Sequence, residues 1–99
     1  MAANFRIRKT RRTNRLDVTL SGHFDGSSAA HLANVLARNH HRYGIIHIDT
    51  DALVAVSGFA RQVLRARLMG HAWAGHRCRF SGRWAQTLQE QLPTARSAA

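Results

Sequence analysis

Cysteine is nearly absent from this sequence of 99 residues, and acidic side chains are scarce. The one cysteine, Cys78, cannot form a disulfide within the chain, so the stability of the fold must come from packing. Long apolar runs are missing too. None approaches the roughly 20 residues of a membrane-spanning helix, and no apolar signal-peptide core follows the first charges. We therefore expect a small cytoplasmic protein with one modest core and no membrane span.

Positive charge is what the sequence has in excess. Fifteen Lys and Arg side chains oppose five Asp and Glu, which gives a formal net charge of +10. A field of that size attracts nucleic acids, anionic lipids or acidic proteins. The densest basic run lies near the start of the chain and comprises Arg6, Arg8, Lys9, Arg11, Arg12 and Arg15. Nucleic-acid binding stays open on this criterion, although the chain lacks the aromatic strand platform of single-strand binders.

Two early segments alternate apolar and polar residues, the pattern of half-buried strands. Residues 5–9 alternate apolar and basic side chains, as expected for an edge strand with one wet face. Leu16, Val18 and Leu20 alternate with polar residues in the second segment. The two segments are expected to pair as a hairpin.

The rest of the chain alternates between helical and strand patterns. Helices are predicted at about residues 27–41, from Ser57 to Gly70 or Gly75, and over residues 84–92, with strands at residues 45–49 and 77–80. Crossovers of this length favour parallel strands, with the first strand as the antiparallel exception. The predicted fold class is α/β, a mixed four-stranded sheet in the order β-β-α-β-α-β-α packed against helices. Residues 1–93 form one predicted domain, and residues 94–99 a frayed tail.

Motifs of catalysis and metal binding are missing. The chain has no Walker-type phosphate loop, no zinc-protease His-Glu pair and no Gly-x-Ser-x-Gly elbow. His71, His76 and Cys78 are of the right type for zinc, but no fourth ligand is evident. We therefore expect neither an enzyme nor a bound metal or cofactor.

Several short motifs, in order, resemble the STAS domain family, the fold of anti-sigma-factor antagonists. The segment VTLSGHFD at residues 18–25 is similar to the opening strand and turn of that family, and IHID at residues 46–49 to its central strand. The segment VAVSGF at residues 54–59 resembles the family's switch motif, and residues 75–82 its last strand and glycine. Together the resemblance covers about residues 15–91.

The resemblance implies a non-enzymatic, bacterial regulatory domain that binds an anti-sigma factor or serine-kinase-like protein. It implies that Ser57, directly before a glycine, accepts the switching phosphate. A helix N-terminus suits a phosphate because unpaired N–H groups and the helix dipole favour negative charge there. Simple helix capping is the alternative explanation of Ser57. Ala55 and Val56 stand where the family has an Asp-Ser pair.

Parallel strands present their C-terminal ends at one edge of a sheet. We therefore expect Asp49 and Ser57 to lie near one another, with the Asp25 loop beside them. Turn formation and capping are the simpler explanation of both aspartates. The expected partner-binding residues at this edge are Asp25, Gly26, Ser27, Asp49, Ser57, Gly58, Arg61 and Arg65.

Three alternatives remain open at this point. The short chain is similar to the compact STAS subunits of bacterial phospholipid-transport complexes, which implies a transporter subunit as the partner. The basic hairpin permits a nucleic-acid-binding module. The edge strand permits a homodimer in which the strand pairs between two copies of the chain.

Overall fold

A four-stranded sheet forms the centre of the protein, which we describe from a computed structural model over residues 4–93. The strands are β1 Phe5–Arg11, β2 Arg15–Phe24, β3 Ile45–Val56 and β4 Cys78–Ser81, and they lie in the order β1-β2-β3-β4. β1 is antiparallel to β2, whereas β2, β3 and β4 run parallel. The predicted α/β class and mixed four-stranded sheet are confirmed. The predicted tail at residues 94–99 lies outside the described residues.

The helices number one more than predicted within the described residues. They are α1 Gly26–Asn39, α2 Gly58–Leu68, α3 Ala72–Arg77 and α4 Ala85–Gln89, and a 3-10 turn, His40–Arg42, follows α1. The predicted order β-β-α-β-α-β-α is therefore wrong in one place, because two helices separate β3 from β4. The physical reason is Gly70, whose φ of 87° interrupts the helix, whereas Gly75 lies inside α3.

The core lies between one face of the sheet and the helices. Leu16, Val18 and Leu20 of β2 are buried, and with them Ile46 and Ile48 of β3. The inward face of α1 consists of Ala29, Leu32, Ala33 and Leu36, and that of α2 of Ala60, Leu64 and Leu68. These are the positions that helical spacing indicates, and each large side chain contributes about 1.5–3 kcal/mol by burial. Within residues 4–93, no helix is both long and apolar enough to cross a membrane.

β3 is longer than predicted, and its extra length is irregular. The predicted strand stops at Asp49, but β3 continues for seven more residues to Val56. The pairing with β2 shifts register twice in this stretch, once after Thr19 and once after Gly22. Such bulges break the period-2 pattern, which is why alternation does not reveal the second half of the strand.

A buried threonine ties β3 to the turn that follows β4. Thr50 is fully buried, and its hydroxyl donates to the carbonyl of Ser81 at 2.8 Å and accepts from the backbone N–H of Trp84 at 2.9 Å. The turn between these residues contains Gly82 at φ 93°, where a Cβ would lie 2.7 Å from Oδ1 of Asp51. The turn therefore requires glycine, and Thr50 supplies two of its hydrogen bonds.

We expect Thr50→Val to lower the free energy of unfolding by about 2 kcal/mol, because it leaves the part-buried N–H of Trp84 and the part-buried carbonyl of Ser81 without their partner. Urea unfolding measures the effect. The matched control is Thr19→Val, since Thr19 is an exposed threonine of the neighbouring strand. A loss no greater than that of the control, which we expect within about 0.5 kcal/mol, contradicts the role of Thr50.

Candidate functional site

Two helices begin side by side at one edge of the sheet. β2 ends at Phe24 and β3 at Val56, and these two residues are paired in the ladder. The backbone N–H of Ser57 donates to the carbonyl of Phe24 at 3.0 Å, directly beyond this pair. The chain then enters α1 from Asp25 and α2 from Ser57. The expectation that the Asp25 loop lies beside Ser57 is therefore met by the geometry.

Both helices are capped at their N-termini by a side chain. Oδ1 of Asp25 accepts from the backbone N–H of Ser28 at 2.9 Å and from the hydroxyl of Ser27 at 3.1 Å. The hydrogen bonds from Ser28 and then Ser27 hold the pKa of this carboxyl below its usual value, so it carries a negative charge at neutral pH. Oγ of Ser57 accepts from the backbone N–H of Ala60 at 3.0 Å.

An exposed aromatic ring lies between the two N-termini. The side chain of Phe59 is 66% exposed, yet its ring lies against α1, where a Cβ at Gly26 would come within 2.7 Å of it. Val54, near the end of strand β3, is 62% exposed. Aromatic side chains, Phe among them, are enriched in protein–protein interfaces relative to the rest of the surface.

Neither Val54 nor Phe59 was singled out from the sequence as a binding residue. The available signal was weak: Phe59 precedes the buried stripe of α2, which begins at Ala60. The position of the Phe59 ring depends on its contact with Gly26. This contact joins residues that are far apart in the chain, so local sequence patterns do not reveal it.

Arginines give this edge its positive charge. A Cβ at Gly58 would lie 3.6 Å from the guanidinium of Arg61, so this side chain reaches back over the start of α2. Arg65 is exposed and continues the basic face one turn further along. No acidic residue occupies the first turn of either helix. We call the following residues the Ser57 edge: Asp25, Gly26, Ser27, Ser57, Gly58, Phe59, Arg61 and Arg65.

Asp49 does not belong to the Ser57 edge, and the prediction that it lies near Ser57 is wrong. It pairs with Thr19 of β2 and Ser81 of β4 in the middle of the sheet, eight residues or about 26 Å of extended strand before Ser57. Oδ1 of Asp49 accepts from the backbone N–H of Asp51 at 2.9 Å, which is a local turn-forming contact. The error follows from the early predicted end of β3.

The histidines and the cysteine are candidate metal ligands by residue type. Within residues 4–93, no three His, Cys, Asp or Glu side chains are placed to share a metal ion, and this includes His71, His76 and Cys78. Cys78 is buried, and burial raises the pKa of its thiol to about 12, so it is protonated at neutral pH. His40 stacks on Trp73 at 4.0 Å between ring centroids, and burial lowers its pKa.

The sequence matches no protein-family model, and a search of curated proteins finds no significant match to it.

Replacing Ser57 by Ala is expected to lower the free energy of unfolding by about 1 kcal/mol, because the backbone N–H of Ala60 loses its acceptor. Ser57→Asn and Ser57→Asp keep a capping oxygen and are expected to stay near the wild-type value. Thermal unfolding of the four proteins gives the comparison. Equal stability of the Ala variant and the wild type rules out the cap.

Proposed function

We propose that this chain is a non-enzymatic, STAS-like regulatory domain of bacteria that binds another protein through the Ser57 edge. The observation that carries the proposal is the pair of adjacent helix N-termini with the exposed ring of Phe59 between them. The pairing of Phe24 with Val56 brings the segments VTLSGHFD and VAVSGF together. In the family that these motifs resemble, the same two segments face the partner, which supports the assignment.

The chemistry of the edge supports a binding role. Its polar groups are engaged locally: the carboxylate of Asp25 caps α1, and the hydroxyl of Ser57 caps α2. Two arginines and an exposed ring remain for a partner, and Arg and aromatic side chains are those that contribute most at protein interfaces. A partner with a negative surface and an apolar pocket for Phe59 is therefore expected.

Phosphorylation of Ser57 is the switch that the resemblance implies. A partner kinase would transfer the γ-phosphoryl group of ATP to Oγ of Ser57, with release of ADP and the hydroxyl proton, and this adds about −1.5 to −2 charges at neutral pH. Ser57 is exposed, the guanidinium of Arg61 reaches back to the neighbouring Gly58, and the positive end of the α2 dipole favours negative charge there. An acidic partner is then repelled from a surface that has lost its positive character. The modified domain keeps its own fold, because the new charge lies outside the core.

The partner is an anti-sigma factor or serine-kinase-like protein, and a subunit of a phospholipid transporter is the alternative. Gene neighbourhood distinguishes the two. An adjacent kinase-type anti-sigma gene supports the first, and a transporter operon supports the second.

The switch is tested by comparing Ser57→Asp with Ser57→Asn, which differ in charge but share size and capping ability. Each variant is immobilised and incubated with an extract of the organism that encodes it, and the captured proteins are quantified by mass spectrometry. We expect Ser57→Asn to retain a partner that the wild type captures, and Ser57→Asp to lose it by about tenfold, because charge repulsion at an interface costs on the order of 1.4 kcal/mol or more. Equal capture by the two variants contradicts the switch.

A further inference from the structure

The two outer edges of the sheet differ in whether another part of the chain covers their backbone groups. At the β4 edge, the side chain of Gln89 in α4 covers the strand: its Oε1 accepts from the backbone N–H of Phe80 at 2.8 Å, and its Nε2 donates to the carbonyl of Cys78 at 3.1 Å. At the β1 edge, nothing among residues 4–93 pairs with the strand. An uncovered edge with free backbone groups is a template for another strand.

The register of the hairpin identifies which backbone groups of β1 are free. The N–H of His23 donates to the carbonyl of Asn4, and the N–H of Arg12 to the carbonyl of Arg15. Bonded and non-bonded pairs alternate in an antiparallel ladder. The even-numbered residues of β1 therefore bond to β2, and four residues direct their N–H and carbonyl groups outward: Phe5, Ile7, Lys9 and Arg11.

The side chains along this edge carry charge of one sign. Arg6 and Arg8 lie on the sheet face away from the apolar core, and Lys9 and Arg11 extend from the opposite face. No salt bridge within residues 4–93 neutralises these four. Among the described residues, Arg12 and Arg15 are the arginines of the hairpin that form ion pairs: their Nε atoms lie 3.1 and 2.9 Å from the carboxylate oxygens of Asp17. The outer edge of β1 therefore presents backbone N–H and carbonyl groups that do not bond to β2, together with unbalanced positive charge on both faces of the sheet.

A second copy of the chain fits this edge poorly. If two β1 strands pair antiparallel about Ile7, Arg6 of one copy lies opposite Arg8 of the other. If they pair about Arg8, the two copies of Arg8 lie opposite each other. Like charges directly opposite each other destabilise a strand pair. A nucleic acid fits the charge but does not match the alternating donors and acceptors of the free ladder.

We propose that β1 binds an extended acidic segment of a partner protein as a fifth strand. Acidic side chains of that segment lie opposite Arg6 and Arg8 on one face. On the other face, apolar side chains lie opposite Phe5 and Ile7, which are half-buried. This surface uses no residue of the Ser57 edge. A negative result for binding at β1 therefore leaves the proposed function unaffected.

The probe is a heptapeptide with blocked termini in which Glu and Val alternate. In the control peptide of equal charge, each Val is replaced by Pro, which has no backbone N–H to donate to β1. Hydrogen exchange of the backbone amides is followed by NMR. We expect the amides of Ile7 and Lys9 to exchange at least tenfold more slowly when the Glu-Val peptide is bound. The amides of Arg6 and Arg8 are already bonded to β2 and are expected to stay unchanged.

Charge is tested with a matched pair of double variants. Arg6→Gln with Arg8→Gln is expected to weaken peptide binding by about tenfold, since it removes the two cations that face the peptide. Arg38→Gln with Arg42→Gln removes the same charge from the end of α1 and the 3-10 turn after it, and is expected to leave binding within about twofold of wild type. Retained protection of the Arg8-position amide verifies that the first variant is folded.

Four outcomes overturn the proposal. The first two are equal binding of the Val and Pro peptides, and binding of the Glu-Val peptide that does not slow exchange of the Ile7 and Lys9 amides. The third is slow exchange of these amides without peptide, caused by self-association of the chain. The fourth is tighter binding of a single-stranded oligonucleotide that carries the same charge as the peptide.

Discussion

The pairing of Phe24 with Val56 is the contact on which the Ser57 edge depends. Phe24 is buried in the core, so it fixes the end of β2, and the hydrogen bond from Ser57 to its carbonyl fixes the end of β3. Two register shifts lengthen β3 until its last residue meets this position. α1 and α2 then start from neighbouring points, and the ring of Phe59 is held against Gly26. The Ser57 edge therefore depends on the length of β3. A shorter β3 would separate the capping residues Asp25 and Ser57.

Acidic side chains are few, and most of them are engaged in contacts within the fold. Asp17 holds Arg12 and Arg15, while Asp25 caps a helix and Asp51 accepts from the turn after β4 at 2.8 Å. These carboxylates are therefore committed to local structure, and most of the basic side chains have no intramolecular counterpart within residues 4–93. Both proposed surfaces follow from this imbalance, because the cations that each presents have no carboxylate partner within residues 4–93.

Periodicity predicted much of the fold. The buried stripes of α1 and α2, the opening hairpin and the start of α2 at Gly58 all follow from residue spacing and capping chemistry, which act over a few residues. The missed features depend on contacts between distant parts of the chain. The second half of β3 is irregular because it follows β2 through bulges, and Asp49 was misplaced as a result. The exposure of Phe59 and the covering of β4 by Gln89 exist only after the strands and helices pack together.

The central claim is that the N-terminal end of α2, and not the helix as a whole, meets a partner. Phe59 and Met69 provide a matched pair, because their side chains are 66% and 65% exposed and lie at opposite ends of α2. A photo-crosslinking amino acid is placed at either position in the cell that encodes the protein, and covalent adducts are counted after irradiation. We expect a discrete protein adduct from position 59 and none from position 69. Equal labelling at both positions, or labelling at position 69 alone, contradicts the account.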